Sequence, residues 1–289
     1  SYVSGADLYV LEGIDAQSVH DLRNARIIPV LNTYVQVELW AKSCAGGQPN
    51  RCILHLDSGM NRLGFDEAAV RKLAANPRLL GRLNVDYLMT HLACADEAAH
   101  EQNPLQLRRF EQLRAYLPPC RISIANSAGI FLGTEYHGDL VRPGIALYGG
   151  NPKSVGPNPM HEVVRACGRI VQVREIHRAS TVGYGASAIV HPNTRLATVA
   201  FGYADGYLRC FGNRAQAVVN GHKVPVIGRV SMDSLTLNVS DVPPNLAGEG
   251  DWATLIGGGI NIDELAALGN TISYEILTGI GPRVSREYQ

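Results

Sequence analysis

The sequence predicts an α/β region built on a parallel sheet, followed by a mainly β domain. Over residues 1–150, short apolar runs alternate with charged, helix-patterned segments at the pitch of βαβ units. From residue 160 to 289 the pattern changes to short runs with period-two alternation, as half-buried strands require. Between the two lies NPKSVGPNPM (151–160), rich in Pro, Gly and Asn, which reads as a linker.

In chain order, the first region offers strands at 7–12 (DLYVLE), 27–32 (IIPVLN), 52–57 (CILHLD), 85–92 (VDYLMTHL), 121–125 (RISIA) and 140–148 (LVRPGIALY). Helical patterns fall between them at 16–24, 35–44, 66–76 and 104–117, with Asp66 and Pro104 as helix-start residues. Six parallel strands suit an open doubly wound sheet or part of an eight-stranded barrel. In the second region RACGRIVQVREI, RLATVAF, AQAVVNGHKVPVIGRV and SLTLNVSDV read as strands. Asn220-Gly221 is a hairpin signal, because both central residues of the favoured two-residue turn need positive φ. One short helix is expected near 263–269, with more strand after it.

Composition excludes several function classes. With 26 basic against 26 acidic residues and no long basic run, the chain lacks the charge footprint of a nucleic-acid binder. No run of about 18 apolar residues marks a membrane span. SYVSGADLYV has neither the charged start nor the apolar stretch of a signal peptide. The six cysteines (44, 52, 94, 120, 167 and 210) are scattered with no CxxC pair, which points to free thiols in a reducing cytoplasm rather than a metal site.

Polar residues gather where strands end. HLDSGMNRLGF (55–65) brings Arg62 between two glycines, THLACADE (90–97) brings His91, Asp96 and Glu97, and VRPGIALYG (141–149) brings Arg142, Gly144, Ile145 and Tyr148. IANSAGI (124–130) sets Asn126, Ser127 and Gly129 at the expected start of a helix, a natural phosphate cradle. In parallel barrels the C-terminal ends of strands are where functional residues collect. Taken singly these segments are weak: a lone histidine is commonly structural, and Gly183-Tyr184-Gly185 reads equally as a turn with an aromatic plug.

DSGMNRLG, THLACADE, ANSAG, VRPGIALYG, TVGYGA (181–186), GYADGY (202–207), GRVSMD (228–233) and TISYE (271–275) together resemble the alanine racemase family, in its order and over essentially the whole chain. That family consists of fold-type III enzymes dependent on pyridoxal 5′-phosphate (PLP). The resemblance implies a TIM-like barrel lacking its first two βα units, then a β domain, and the conversion of L- to D-alanine for bacterial peptidoglycan precursors. It implies that Arg142 faces the pyridine nitrogen, that Asn126, Ser127, Gly144, Ile145 and Tyr274 lie at the cofactor phosphate, and that Arg62 meets the phenolic oxygen and the substrate carboxylate. Tyr184 becomes a catalytic base reaching into the neighbouring subunit of a homodimer, with His91 orienting it. Because a free phenol titrates near pH ~10, His91 and Arg142 are expected to act as cationic neighbours. Met232 and Asp233 line the substrate end, and Tyr203 and Tyr274 form a gate that suits an alanine-sized side chain.

Two departures stand out. The family's Schiff-base lysine lies in a Lys-Ala-x-Ala-Tyr-Gly run, and none of Lys42, Lys72, Lys153 and Lys223 has that context. The chain also begins without methionine, so a longer or cleaved protein is expected to supply the lysine. Position 55 is histidine, where many relatives carry a carbamylated lysine that braces the arginine. A non-catalytic PLP-binding relative, a decarboxylase of the same fold type and a racemase of broader specificity are the competing readings.

Overall fold

The computed structural model describes residues 5–43 and 49–288; Cys44, the last residue of the helix expected at 35–44, lies outside them. The chain divides into two compact units, residues 1–144 with 152–156, and residues 145–151 with 157–289.

The first unit runs β1 (Tyr9–Val10), α1 (Ser18–Asn24), β2 (Ile28–Leu31), α2 (Tyr34–Lys42), β3 (Asn50–His55), α3 (Glu67–Ala74), α4 (Pro77–Leu80), β4 (Leu83–Met89), α5 (Gln102–Arg114) and β5 (Ile122–Ser123). Among the described residues its five strands are all parallel and lie in the order β1-β2-β3-β4-β5. This sequential order decides between the two architectures. A doubly wound sheet reverses direction at a switch point, whereas a barrel adds each strand beside the last. The unit is a barrel arc. Strand faces alternate accordingly: Val30, Ile53 and Met89 cluster with Tyr9 and Tyr87 on one face, while Leu31, Leu54, Leu88 and Ile124 pack on the other with Trp40, Val70 and Phe110 from the helices. Burial on both faces explains why these strands read as continuous apolar runs. Asp66 caps α3 as expected, accepting the Ala69 N–H at 2.7 Å.

Two expected elements differ. Residues 140–148 form no strand: Arg142 makes one bridge to Asn126, and Ile145–Tyr148 is a 3₁₀ turn. Pro143 has no N–H to continue a ladder. The helix expected after Asn126 is a single 3₁₀ turn, Gly129–Phe131.

The second unit contains β6 (Ala166–Ile176), β7 (Ser180–Val182), β8 (Ala188–Val190), β9 (Thr194–Ala200), β10 (Gln216–Val219), β11 (His222–Pro225), β12 (Leu235–Asn238), β13 (Trp252–Ile256), α6 (Ile262–Leu268) and α7 (Ser273–Gly279). Six strands form an antiparallel sheet in the order β11-β10-β13-β6-β9-β12, and a Val226–Leu237 bridge brings its two margins together. The core includes Ile170, Val199, Tyr207, Phe211, Val219, Leu237 and Leu255. Asn220 and Gly221, at φ 44° and 85°, make the expected two-residue turn between β10 and β11. The strand expected after α6 is instead α7. Ile276, within α7, is buried in the core, and Ile280 at its C-terminal cap packs against the same core. Among the described residues no helix is long and apolar enough to cross a membrane.

Candidate active site

The two ends of the arc carry different chemistry. At the start of β3, Arg51 is held by Asp7 and Asp86 at 2.6 and 2.9 Å, an ion-pair cluster that braces the strand entrances. At the opposite end, Asn32, His55, Thr90, His91 and Ser123 close or follow β2 to β5, and Arg142 reaches back among them.

Arg142 organises this end. Its Nη1 donates to Ser123 Oγ at 2.5 Å, and its Nη2 donates to the carbonyls of Thr90 (2.7 Å) and Ile124 (3.1 Å). Nη2 also lies 3.4 Å from His91 Nδ1. A guanidinium only donates, so Nδ1 accepts and the His91 proton sits on Nε2. Gln106, fully buried on α5, supports this loop by donating to the His91 carbonyl at 2.9 Å and accepting the Ala93 N–H at 2.8 Å.

No acid neutralises Arg142: among the described residues it pairs with no carboxylate, and burial pushes its guanidinium down to about 10. It stays charged at neutral pH. Arg62, exposed on the loop after β3, adds a second guanidinium with no hydrogen bond or ion pair among the described residues. Asp57 is the nearby acid, and its Oδ1 is occupied by the N–H groups of Gly59, Met60 and Asn61 at 2.9–3.1 Å. Asp96 and Glu97 are exposed.

Both imidazoles here are neutral. Burial, then the charge of Arg142 and that of Arg62, lowers His91 to about 4. Burial, with Arg142, His91 and Arg62 and against the opposing pull of Asp57, lowers His55 to about 4. The expectation that His91 acts as a cation is therefore corrected: it is a hydrogen-bond donor through Nε2. Stability should follow this titration. An unfolded imidazole titrates near 6.5, so between that pH and 4 the unfolded chain binds more protons than the folded one. Stability is complete above about pH 6.5 and falls as pH drops, by at most about 1.4 kcal/mol per unit for each histidine. Half-buried His91 contributes the smaller share. The urea midpoint should drop between pH 6.5 and 5, and less steeply in His55→Gln; equal slopes in the two proteins would refute the assignment.

The phosphate candidates lie beyond β5. Asn126 caps the turn, its Oδ1 accepting the Gly129 N–H at 2.9 Å. Ser127, 1 % exposed, accepts the Gly144 N–H at 2.6 Å, so a hydroxyl and an amide of the type that ligates phosphate sit side by side. In the second unit, Ile145 packs on Gly150, where an added Cβ would lie 2.5 Å from the isoleucine and 3.3 Å from Ser273. Ile145 thus meets the start of α7, which carries Tyr274.

Also in the second unit, one edge assembles the remaining candidates. TVGYGA links β7 to β8 with Gly183, Gly185 and Ala186 all at positive φ, a contortion that leaves Tyr184 69 % exposed. Segment 228–233 runs beneath it: an added Cβ on Gly185 would lie 2.8 Å from the Arg229 guanidinium. The same segment is laced to GYADGY, since the Tyr203 and Ala204 N–H groups donate to the carbonyls of Ser231 and Met232 at 3.0 and 2.9 Å. Tyr203 and Met232 are exposed there, and Arg283 joins Asp233 (2.7 Å) to buried Asp205 (3.3 Å). Sequence reading missed Asn32, Gln106, Ser123 and Arg229. Asn32, Ser123 and Arg229 are polar residues in short apolar or glycine-containing runs and Gln106 lies in a polar helix, so nothing local distinguishes any of them from a surface residue.

The alanine racemase N-terminal domain profile matches residues 2–152, and the C-terminal domain profile matches residues 163–288. The chain belongs to the alanine racemase family. It is 47 % identical to the alanine racemase of Rhodospirillum rubrum over 284 residues, spanning 98 % of this chain and 76 % of that one. Among solved family structures, alanine racemase from Bartonella henselae, with covalently bound pyridoxal phosphate, superposes at a TM-score of 0.90 with 36 % identity, covering 99 % of this chain and 80 % of the other. The biosynthetic alanine racemase from Pseudomonas aeruginosa gives 0.88 and 34 %, covering 100 % and 80 %.

The first unit suits the family's cofactor. PLP offers a phosphate dianion, a phenolic oxygen and a pyridine nitrogen, all acceptors or anions. The strand-end site presents two guanidiniums with no pairing acid among the described residues, a neutral imidazole, and the Ser127 hydroxyl beside the Gly144 amide.

Proposed function

We propose that this protein is a PLP-dependent alanine racemase that interconverts L- and D-alanine. The observation that carries this is Arg142, a buried guanidinium at the strand ends, fixed by three oxygen acceptors and paired with no carboxylate among the described residues. A guanidinium opposite a pyridine nitrogen donates a hydrogen bond but does not give up its proton. That choice weakens full withdrawal of electrons into the ring and so restrains transamination.

Bound PLP supplies conjugation that acidifies the Cα–H of the substrate. Everything else falls to the chain. Ser127, Gly144, Ile145 and Tyr274 hold the phosphate, with Asn126 shaping the turn beneath it. Arg62 meets the phenolic oxygen and orients the substrate carboxylate. Tyr184, contributed by the neighbouring subunit of a homodimer, removes or returns the proton on one face of Cα. The Nε2–H of His91 stabilises its phenolate and aims it. Tyr203, Met232 and Asp233 close the substrate end around a methyl-sized side chain.

Racemisation needs a second base on the opposite face of Cα, and the family uses the lysine that holds PLP. The four lysines of this chain are poorly suited: Lys42, Lys72 and Lys223 are exposed, with Lys72 stacked 4.1 Å above Tyr34, and Lys153 lies in the 152–156 segment. We therefore infer that the lysine comes from polypeptide beyond these 289 residues. This observation also favours a second reading, in which the 289 residues alone bind PLP without turnover.

The test joins two measurements on the PLP-loaded protein: D-alanine formed from L-alanine, and intact mass after borohydride reduction. D-alanine formation with a pyridoxyl label on a longer or companion chain supports the racemase. PLP binding with no label and no D-alanine supports the second reading. Carbon dioxide release in place of D-alanine overturns both.

A further inference from the structure

Asn32 and His55 sit side by side at the ends of β2 and β3, 2 % and 6 % exposed. Asn32 Oδ1 lies 2.8 Å from His55 Nδ1. The orientation of the Asn32 amide is set by its other contacts, because Nδ2 donates to the carbonyls of Leu11 and Val30, both at 3.1 Å. Turning the amide over would aim its oxygen at two carbonyl oxygens. Oδ1 therefore faces the imidazole as an acceptor, and Nδ1 must carry the hydrogen. Since burial among cations keeps this ring neutral, Nε2 is left bare.

The groups around His55 are Asp57 and Arg62 on the following loop, His91 after β4, and Arg142 after β5. Arg142 is committed to Ser123, Thr90, Ile124 and His91. Asp57 is committed to its turn. Arg62 is the guanidinium with no partner among the described residues, as His55 Nε2 is the acceptor with none. They share one short loop that is tied back on itself, with Phe65 N donating to His55 O at 2.7 Å and Asp57 N to Phe65 O at 2.9 Å. Gly64, at φ 110°, lets this loop close over the ring, since an added Cβ would lie 3.2 Å from His55 Cγ.

We propose that Asn32 locks His55 in its Nδ1–H tautomer, so that Nε2 stays an acceptor that positions the Arg62 guanidinium. His55 is a positioning residue, acting on substrate through Arg62. The inference rests on the racemase reading for the role of Arg62 but not for the tautomer.

The direct test is ¹⁵N NMR of the histidine-labelled holoenzyme at pH 7, with the His55 signals identified by their loss in His55→Gln. A protonated Nδ1 and a bare Nε2 are expected. An Nε2–H tautomer or a cationic ring overturns the proposal. Kinetics give a second arm. Asn32→Asp offers Nδ1–H a carboxylate, which draws a second proton onto the ring and turns Nε2 into a donor facing Arg62. The KM for alanine should rise about tenfold, the equivalent of one charge-assisted hydrogen bond, and kcat should change less. His55→Gln, whose amide oxygen can reach the place of Nε2, should keep KM within about threefold, while His55→Leu behaves like Asn32→Asp. Equal KM in the Gln and Leu variants overturns the positioning role. A wild-type holoenzyme with the Nδ1–H tautomer but no racemisation overturns the racemase reading alone.

Discussion

Tyr184→Phe is expected to lower kcat for alanine racemisation by about 10²–10⁴-fold, the range for loss of a general acid–base group. Its specificity comes from the setting of the residue. Tyr184 is 69 % exposed, on a loop shaped by Gly183, Gly185 and Ala186 rather than by contacts of the ring. Removing one hydroxyl should leave folding and PLP binding unchanged. Two readouts separate these cases: D-alanine formation for chemistry and the visible absorbance of bound PLP for occupancy. A Tyr184→Phe enzyme with kcat within threefold of wild type would refute the assignment of the base. Dilution to a proven monomer is the companion experiment: on the proposal that the partner supplies the base, activity should be lost with the partner.

Arg142→Lys is expected to damage both stability and fidelity. The planar fork of Arg142 serves Ser123 Oγ, Thr90 O and Ile124 O together. An ammonium cannot span the same three acceptors, and leaving one or two unmet should cost about 1–3 kcal/mol, read as a lower urea midpoint. The chemical effect has the opposite origin. Lysine yields its proton readily once buried, so a ring nitrogen opposite it becomes protonable and the cofactor a stronger electron sink. Pyruvate formed per D-alanine should therefore rise while kcat/KM falls by at least about 10²-fold, as for loss of a preorganised donor. Unchanged pyruvate formation would refute the pairing of Arg142 with the pyridine nitrogen.

Much of the candidate site was legible because its markers are local. DSGMNRLG and ANSAG follow strand ends and TVGYGA links two strands, and the order of these runs with VRPGIALYG along the chain pointed to the family that the domain profiles show. Asp66 as a cap and Asn220-Gly221 as a turn were readable for the same reason: each rests on hydrogen bonding or φ preference within four residues. The strand expected at 140–148 and the strand expected after α6 went the other way. Pro143 removed a ladder donor in the first, and burial of Ile276 against the β core fixed a helix in the second.

By itself the sequence determined the alternation of elements, the turn positions and the residue types at each strand end, all consequences of periodicity and backbone preference over short spans. Tertiary structure decided the rest. The sequential order of five parallel strands, which makes an arc rather than a doubly wound sheet, depends on pairings between residues 19 or more positions apart. The neutrality of His55 and His91 depends on burial beside Arg142, contributed from positions 87 and 51 residues further along the chain. The tautomer of His55 depends on an asparagine whose amide is fixed by carbonyls at Leu11 and Val30. Charge state and proton position are properties of an enclosed environment, and only the folded chain supplies one.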